Sequence, residues 1–353
     1  MVSFQNIKWG MAAMLLSLFS EINAQTSSTD QVRLIRKDAE QKVEIRVNGE
    51  LFTAYYFPGD LAKPVLYPIK SVAGNDLTRG FPLDPRPGER IDHPHHVGHW
   101  FNYGDVNGLD FWNNSDAIPA EKKSGYGTIR HRGVKSMIEK GNRAELEVET
   151  DWLAPNGEIL LKETTRFVFT SEGKKRSIER LTTLSAQNQP VSLKDNKEGM
   201  FAIRVARELE HPSDKPELFT DANGIATSVP SLNNEGVTGK YLSSAGKIGD
   251  DVWGTRGTWV NLSGEINEEK VAIAILDHPS NPGYPTYWHA RGYGLFAANP
   301  LGQKALSGGK DELNFGLKAG ESVTLRYKIL VFSGESPSEA QLNDEVISMR
   351  NER

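Results

Sequence analysis

Hydrophobic and polar residues alternate along much of this chain. The segments VRLIRK, VEIRV, LFTAYYF, RAELEVETDWL, EILLKETTRFVFT, RSIERLTTLS, VAIAIL and SVTLRYKILVF place apolar, β-branched or aromatic side chains at every second position or in short dense runs. That is the pattern of strands with at least one buried face. Asn48-Gly49-Glu50 and the APNG of Ala154 to Gly157 fall between such segments and read as tight hairpin turns. Long strands joined by short turns, with few amphipathic helical stretches, predict an all-β fold, a large antiparallel two-sheet β-sandwich. One helix is expected, at the C-terminus over residues 337–349. Ser336 would cap it, Pro337 open it and Glu339 complete a capping box, with Leu342, Val346 and Met349 sharing one face against an outer sheet edge.

Two stretches break the alternation, residues 73–120 and 277–310. Both are rich in Gly, Pro, Asn, Asp and aromatic residues, and long irregular loops in a compact β domain are either functional or disordered. Trp100, Trp112 and Trp288 fall within them, which argues against disorder. No internal repeat, low-complexity tract or sharp change of composition divides the chain, so residues 32–353 read as a single domain.

Composition adds exclusions. A hydrophobic share of 38% with 25% charged residues suits a globular protein. The net charge is -5 and Lys and Arg are scattered, so the basic footprint of a nucleic-acid binder is missing. Near the N-terminus Lys8 precedes the apolar run Trp9 to Ser20, and INAQ offers Ala24 as a cleavage position. This predicts a signal peptide over residues 1–24, a polar linker over 25–31, and a periplasmic or secreted protein. The run is too short for the roughly 20 residues of a spanning helix. The chain has no cysteine, which removes thiolate catalysis and leaves any metal to His, Asp or Glu.

The densest chemistry lies in DHPHHVGHW, Asp92 to Trp100, which holds four of the eight histidines. Pro94 and Gly98 forbid a helical His-x-x-x-His site, and in an extended chain His93 and His95 would face away from His96. Arg79, Asp105, Asn107 and Trp112 flank this cluster. The second loop carries Asn281, Tyr284, Trp288, His289 and Arg291. The two loops are expected to meet at one end of the sandwich.

Three readings of the histidines stay open. They could bind a metal through His93 and His95, in which case the lack of thiolates points to zinc, manganese or calcium. They could act in acid/base catalysis through His96 or His289, with Arg79 or Arg291 holding an oxyanion and Glu198 as a second carboxylate. Or they could simply make the loop rigid through backbone hydrogen bonds. Trp100, Trp112, Tyr284 and Trp288, interleaved with Asp92, Asp105, Asn107 and Asn281, suit a small sugar or oligosaccharide, whose apolar face stacks on rings while its hydroxyls need fixed polar partners.

The stretches RGFPLDPRPGERIDHPHHVGHWFNYGDVNGLDFW and LDHPSNPGYPTYWHARGYGLFAANPLG resemble the bacterial PmoA-like family, labelled "methane oxygenase PmoA". The similarity runs from about Val32 to Phe332. The family is one of unknown function whose genes tend to accompany sugar-degradation systems and sugar oxidoreductases. Its label does not suit this sequence: the membrane methane oxygenase is a multi-spanning copper protein, and here no apolar run reaches roughly 20 residues. At the level of fold, the strand pattern and sugar context resemble the galactose mutarotase-like supersandwich of epimerases, lyases and hydrolases, an analogy that carries no site information. The expectation is an exported carbohydrate-active enzyme of hydrolase, lyase or epimerase type. The alternative is a non-catalytic glycan-binding sandwich.

Overall fold

A computed structural model describes residues 1–2, 30–215, 217–220, 225–229 and 233–351. The expected export signal lies outside the described residues.

Two eight-stranded antiparallel sheets face each other. The first runs, edge to edge, Val32–Lys37, Lys42–Val47, Glu50–Tyr56, Val65–Leu66, His99–Tyr103, Gly199–Arg204, Leu295–Asn299, Tyr287–Ala290. The second runs Lys240–Ser243, Trp259–Ile266, Glu269–Asp277, Ser322–Ser333, Lys175–Ala186, Ile159–Glu172, Arg143–Leu153, Thr128–Lys140. The alternation in the sequence becomes the two faces of each strand. Phe101, Tyr103, Phe201, Ile203, Phe296 and Trp288 point inward from the first sheet and meet Val260, Ile273, Ile275, Ile329 and Val331 from the second in one core. Both predicted hairpin turns form. Asn48 and Gly49 have φ of 53° and 89°, the left-handed pair a two-residue turn needs, and the Gly157 N–H closes on the Ala154 carbonyl at 2.9 Å.

Two expectations need correction. The supposed loops contain strands, His99–Tyr103 in one and Tyr287–Ala290 and Leu295–Asn299 in the other. Every residue in these strands is buried. They are covered on both faces, so no polar-apolar alternation marks them. The C-terminal helix spans Glu339–Asn351, two residues later than expected. Its capping box is built from Ser338 and Gln341: the Gln341 N–H donates to Ser338 Oγ at 3.3 Å, and the Ser338 N–H to Gln341 Oε1 at 2.8 Å. Leu342 and Met349 are buried as the pattern implied, but against Trp259, Ala274, Leu276 and Leu330 on the outer face of the second sheet, not at an edge.

Candidate functional site

The outer face of the first sheet presents Trp100, Ala202, Leu295 and Ala297, and the His-rich loop folds over this patch. A tight turn places the His96 N–H on the His93 carbonyl at 2.9 Å. This brings His93, His95 and His96 together, while His99 goes to the opposite face against Phe201. Gly98 is required where the chain reverses: its φ is 56°, and a Cβ there would lie 2.3 Å from the Leu66 carbonyl oxygen.

Hydrogen bonds to Nδ1 set the tautomer of four imidazoles, because arginine only donates and carbonyls and carboxylates only accept. His93 donates from Nδ1 to Asp92 Oδ2, leaving the lone pair on Nε2. His289 donates from Nδ1 to the Lys197 carbonyl at 3.0 Å, again leaving Nε2 as acceptor. His99 donates from Nδ1 to the Ala202 carbonyl at 2.9 Å. His96 is reversed: Arg204 Nη1 donates to its Nδ1 at 3.1 Å, so its lone pair is occupied and its Nε2–H is buried without an acceptor among the described residues.

The expected site residues therefore separate. Arg79 is almost fully buried and is spent on the loop itself, donating to the Asp92 carbonyl and carboxylate at 2.7 and 2.9 Å and to the His93 and His96 carbonyls at 3.0 and 3.1 Å. It holds the backbone of His93 at a φ of 46°, in the left-handed region non-glycine residues seldom occupy. Arg204, which the sequence reading had not selected, grips the other side of Asp92, with Nη2 at 2.7 Å from Oδ1. Burial alone would raise the Asp92 carboxyl, but the His93 hydrogen bond and the Arg204 and Arg79 charges hold it well below the usual carboxylate range.

The tryptophans offer no open ring face. Trp100, Trp112 and Trp288 are fully buried, and Trp288 belongs to the core between the sheets, with Nε1 donating to the Gly257 carbonyl at 3.1 Å. Asp105 accepts from the Gly108 N–H, and Asn107 binds the Pro190 carbonyl and the Ser192 N–H, so both serve a turn. Asn281 ties its loop to Asp277 and Arg326, and the Tyr284 carbonyl accepts from Arg256. These contacts hold turns and loop backbone, and alternation in the sequence could not foresee them. His93 and His95 have ring centroids 5.6 Å apart, edge to face, and no three His, Asp or Glu side chains converge as a metal-binding group among the described residues.

The loops do meet, through Tyr293 at the tip of the hairpin between Tyr287–Ala290 and Leu295–Asn299. The His93 ring stacks on Tyr293 at 5.3 Å, and the Arg204 and Arg291 guanidiniums lie 4.9 and 5.8 Å from the same ring. Beside Tyr293 opens a cleft of about 490 Å3 lined by Arg90, His211, Asp250, Trp253, Arg291 and Tyr293, among others. Arg291 is exposed, 5.5 Å from the Trp253 ring. His289, on the strand Tyr287–Ala290 that leads into this hairpin, does not line the cleft; it is lowered to about 4, chiefly by burial, with Glu198 opposing the shift and Lys197 and Arg291 adding to it. A larger cleft of about 580 Å3 lies around Asn75, Arg86 and Arg207, but its arginines are committed to Asp76, Glu89 and Glu210.

Residues 42–346 match the model of a family of unknown function, DUF6807. The chain belongs to that family. No curated protein matches the chain in sequence. Among solved structures it is similar to the GH36 α-galactosidase AgaB from Geobacillus stearothermophilus, at 11% identity and a TM-score of 0.42, over 86% of this chain and 41% of that one. It is also similar to a galactose 1-epimerase from Lactobacillus acidophilus NCFM, at 12% identity and a TM-score of 0.34, over 87% of this chain and 100% of that one. The DUF6807 chain thus spans about two fifths of the galactosidase. Likenesses this distant fix neither a substrate nor a reaction. Among the described residues no helix is long and apolar enough to cross a membrane.

Proposed function

We propose that this DUF6807 protein is an exported carbohydrate-active enzyme that moves a proton at a sugar carbon, with His93 and His289 as the acid/base pair. The observation that carries the reading is the shared orientation of these two imidazoles. Each donates from Nδ1 to a fixed acceptor, Asp92 or the Lys197 carbonyl, which leaves Nε2 as the atom that takes a proton from the substrate when the ring is neutral and returns it when the ring is charged. The base role moves from His96 to His93, because Arg204 occupies the lone pair of His96. Arg291 remains the candidate for holding a developing oxyanion. The ring for a pyranose would be Trp253 at the cleft in place of the buried tryptophans, because Tyr293 is already covered by His93 and the Arg204 guanidinium. A cleft of about 490 Å3 is of the size that small-molecule sites have.

The test is a product assay by mass spectrometry over a panel of sugars and glycosides, with binding measured in parallel. Loss of one acid/base group costs ~10²- to 10⁴-fold in rate. His289→Ala and His93→Ala should each fall by that much with binding largely kept. Full activity in both variants would reject the assignment, and sugar binding without turnover by the wild type would make the protein a glycan-binding module instead.

A further inference from the structure

Behind the His-rich loop lies a second, smaller chamber of about 120 Å3. Its walls include Leu61, Lys63, Val65, Pro82, His95 and Asn114. We propose that this chamber is a binding site for a small carboxylate, seated against the Lys63 ammonium and the His95 imidazole. The site is distinct from the cleft beside Tyr293.

Lys63 is the first observation. It is 4% exposed, and lysine is seldom buried unless it is paired. Its Nζ donates to the His95 carbonyl at 2.8 Å and lies 5.6 Å from the Trp100 ring. Among the described residues it makes no ion pair, and burial lowers its ammonium to about 7, with only Asp110 opposing the shift; a bound carboxylate would hold the charge on. A buried cation held only by a carbonyl and a ring face is stabilised by an anion.

His95 is the second. It is 8% exposed, it lines the same chamber, and its Nε2 has no hydrogen-bond partner. The charges that act on it most strongly are all cationic: Lys63, His93, Arg79 and Arg204. The rings beside it repeat the imbalance. His96 lies 4.3 Å from His95, Trp100 5.1 Å from His96, and Trp112 5.2 Å from Trp100. Their Nε2–H and two Nε1–H groups are buried without acceptors. Of these rings only His95 lines the chamber; with Lys63 beside it, the chamber favours an acceptor that carries negative charge.

Size and rim narrow the ligand. A single water needs roughly 10–15 Å3 of such a cavity, so the chamber has room for a carboxylate with several attached atoms. Asp60 and Asp116 lie exposed at the rim, with Arg130 near both. These acids oppose an incoming anion, and Arg130 offsets part of their charge. The carboxylate could belong to a free small acid or to the side group of an acidic sugar. One ring stack, Trp100 to His96 to His93 to Tyr293, connects the chamber to the cleft.

The test is calorimetric titration of the full-length protein with acetate, glucuronate, glucose and chloride. Saturable binding of acetate or glucuronate, with glucose silent, is expected. Acetate binding alone assigns a free small acid, and glucuronate binding alone or in addition assigns an acidic sugar. Lys63→Met should weaken that binding at least tenfold while Lys63→Arg keeps most of it. Should Lys63→Met fail to fold, displacement of acetate followed by the ring proton signals of His95 gives the same answer in the wild type. Absence of any carboxylate binding, equal binding by Lys63→Met, or chloride binding as tightly as acetate would overturn the proposal.

Discussion

A histidine's chemistry is set by what its other nitrogen touches, and in this protein two neighbours in one loop differ on that account. His93 faces a carboxylate and His96 faces a guanidinium, so the first has a lone pair to offer and the second has only an N–H. No spacing rule in DHPHHVGHW reveals this, because the partner Arg204 lies more than a hundred residues away. The same logic gives a pH dependence for the proposed enzyme. Burial lowers His289 to about 4, so the imidazole is a neutral base across the physiological range, and the acid limb of the rate profile should fall near pH 4, well below the usual histidine value. The Glu198 charge favours the imidazolium, and Glu198→Gln should move that limb lower still. A limb near pH 6.5 in the wild type, or one that moves upward in the variant, would contradict the assignment. Arg204 is fully buried and joins Asp92 to His96. Arg204→Met leaves the Asp92 carboxylate short of one partner, a loss that typically costs about 3–5 kcal/mol, measurable by urea unfolding.

Elements were legible where one of their faces meets solvent or where a turn carries its own signature. RAELEVETDWL became a strand with the predicted ends, Arg143–Leu153, and APNG closed its hairpin. The strands His99–Tyr103, Tyr287–Ala290 and Leu295–Asn299 were hidden, because burial of both faces removes the alternation. They also carry the site, so the candidate residues were found while the sheet that positions them was not. The C-terminal helix shows a smaller form of the same limit. Ser336 and Ser338 both precede an acidic or amide residue at the right spacing, and the pattern alone could not choose between them. Ser338→Ala should therefore lower stability by about 0.5–2 kcal/mol while Ser336→Ala changes little. Leu342→Ala, which empties the contact with Trp259 and Leu330, should cost about 2–5 kcal/mol. Equal effects at the two serines, read from thermal unfolding, would place the cap elsewhere.

The whole molecule keeps an unusual share of its histidines neutral. His95, His96, His99 and His289 are all buried, and burial, the largest cause in each case, lowers all four: His95 to about 2, His289 to about 4, and the other two well below the usual value. In the unfolded chain each takes up a proton near pH 6.5. The folded state does not, so their contribution is present above pH 6.5 and is lost as pH falls towards the folded values. Asp277 works the other way. Burial raises it to about 7 despite hydrogen bonds from Asn281 and Thr286, so its contribution is complete below the ordinary aspartate value and is lost as pH rises through 7. His131, His211 and His278 are lowered by burial as well, and Glu89, Asp110 and Glu210 are raised by it like Asp277, so seven lowered histidines stand against four raised carboxyls. Below about pH 6.5 the unfolded histidines take up protons that the folded ones do not, so stability falls as pH falls. Urea midpoints at pH 8, 6 and 5 should thus fall over both intervals, and more steeply per pH unit over the second. The buried surplus of donors around His96, Trp100 and Trp112 lies in the same region, so the outer face of the first sheet is where acid should open the protein first. Hydrogen exchange at the amides of residues 93–100, compared at pH 7 and pH 5, would show it, and uniform loss of protection across both sheets would argue for a global transition instead.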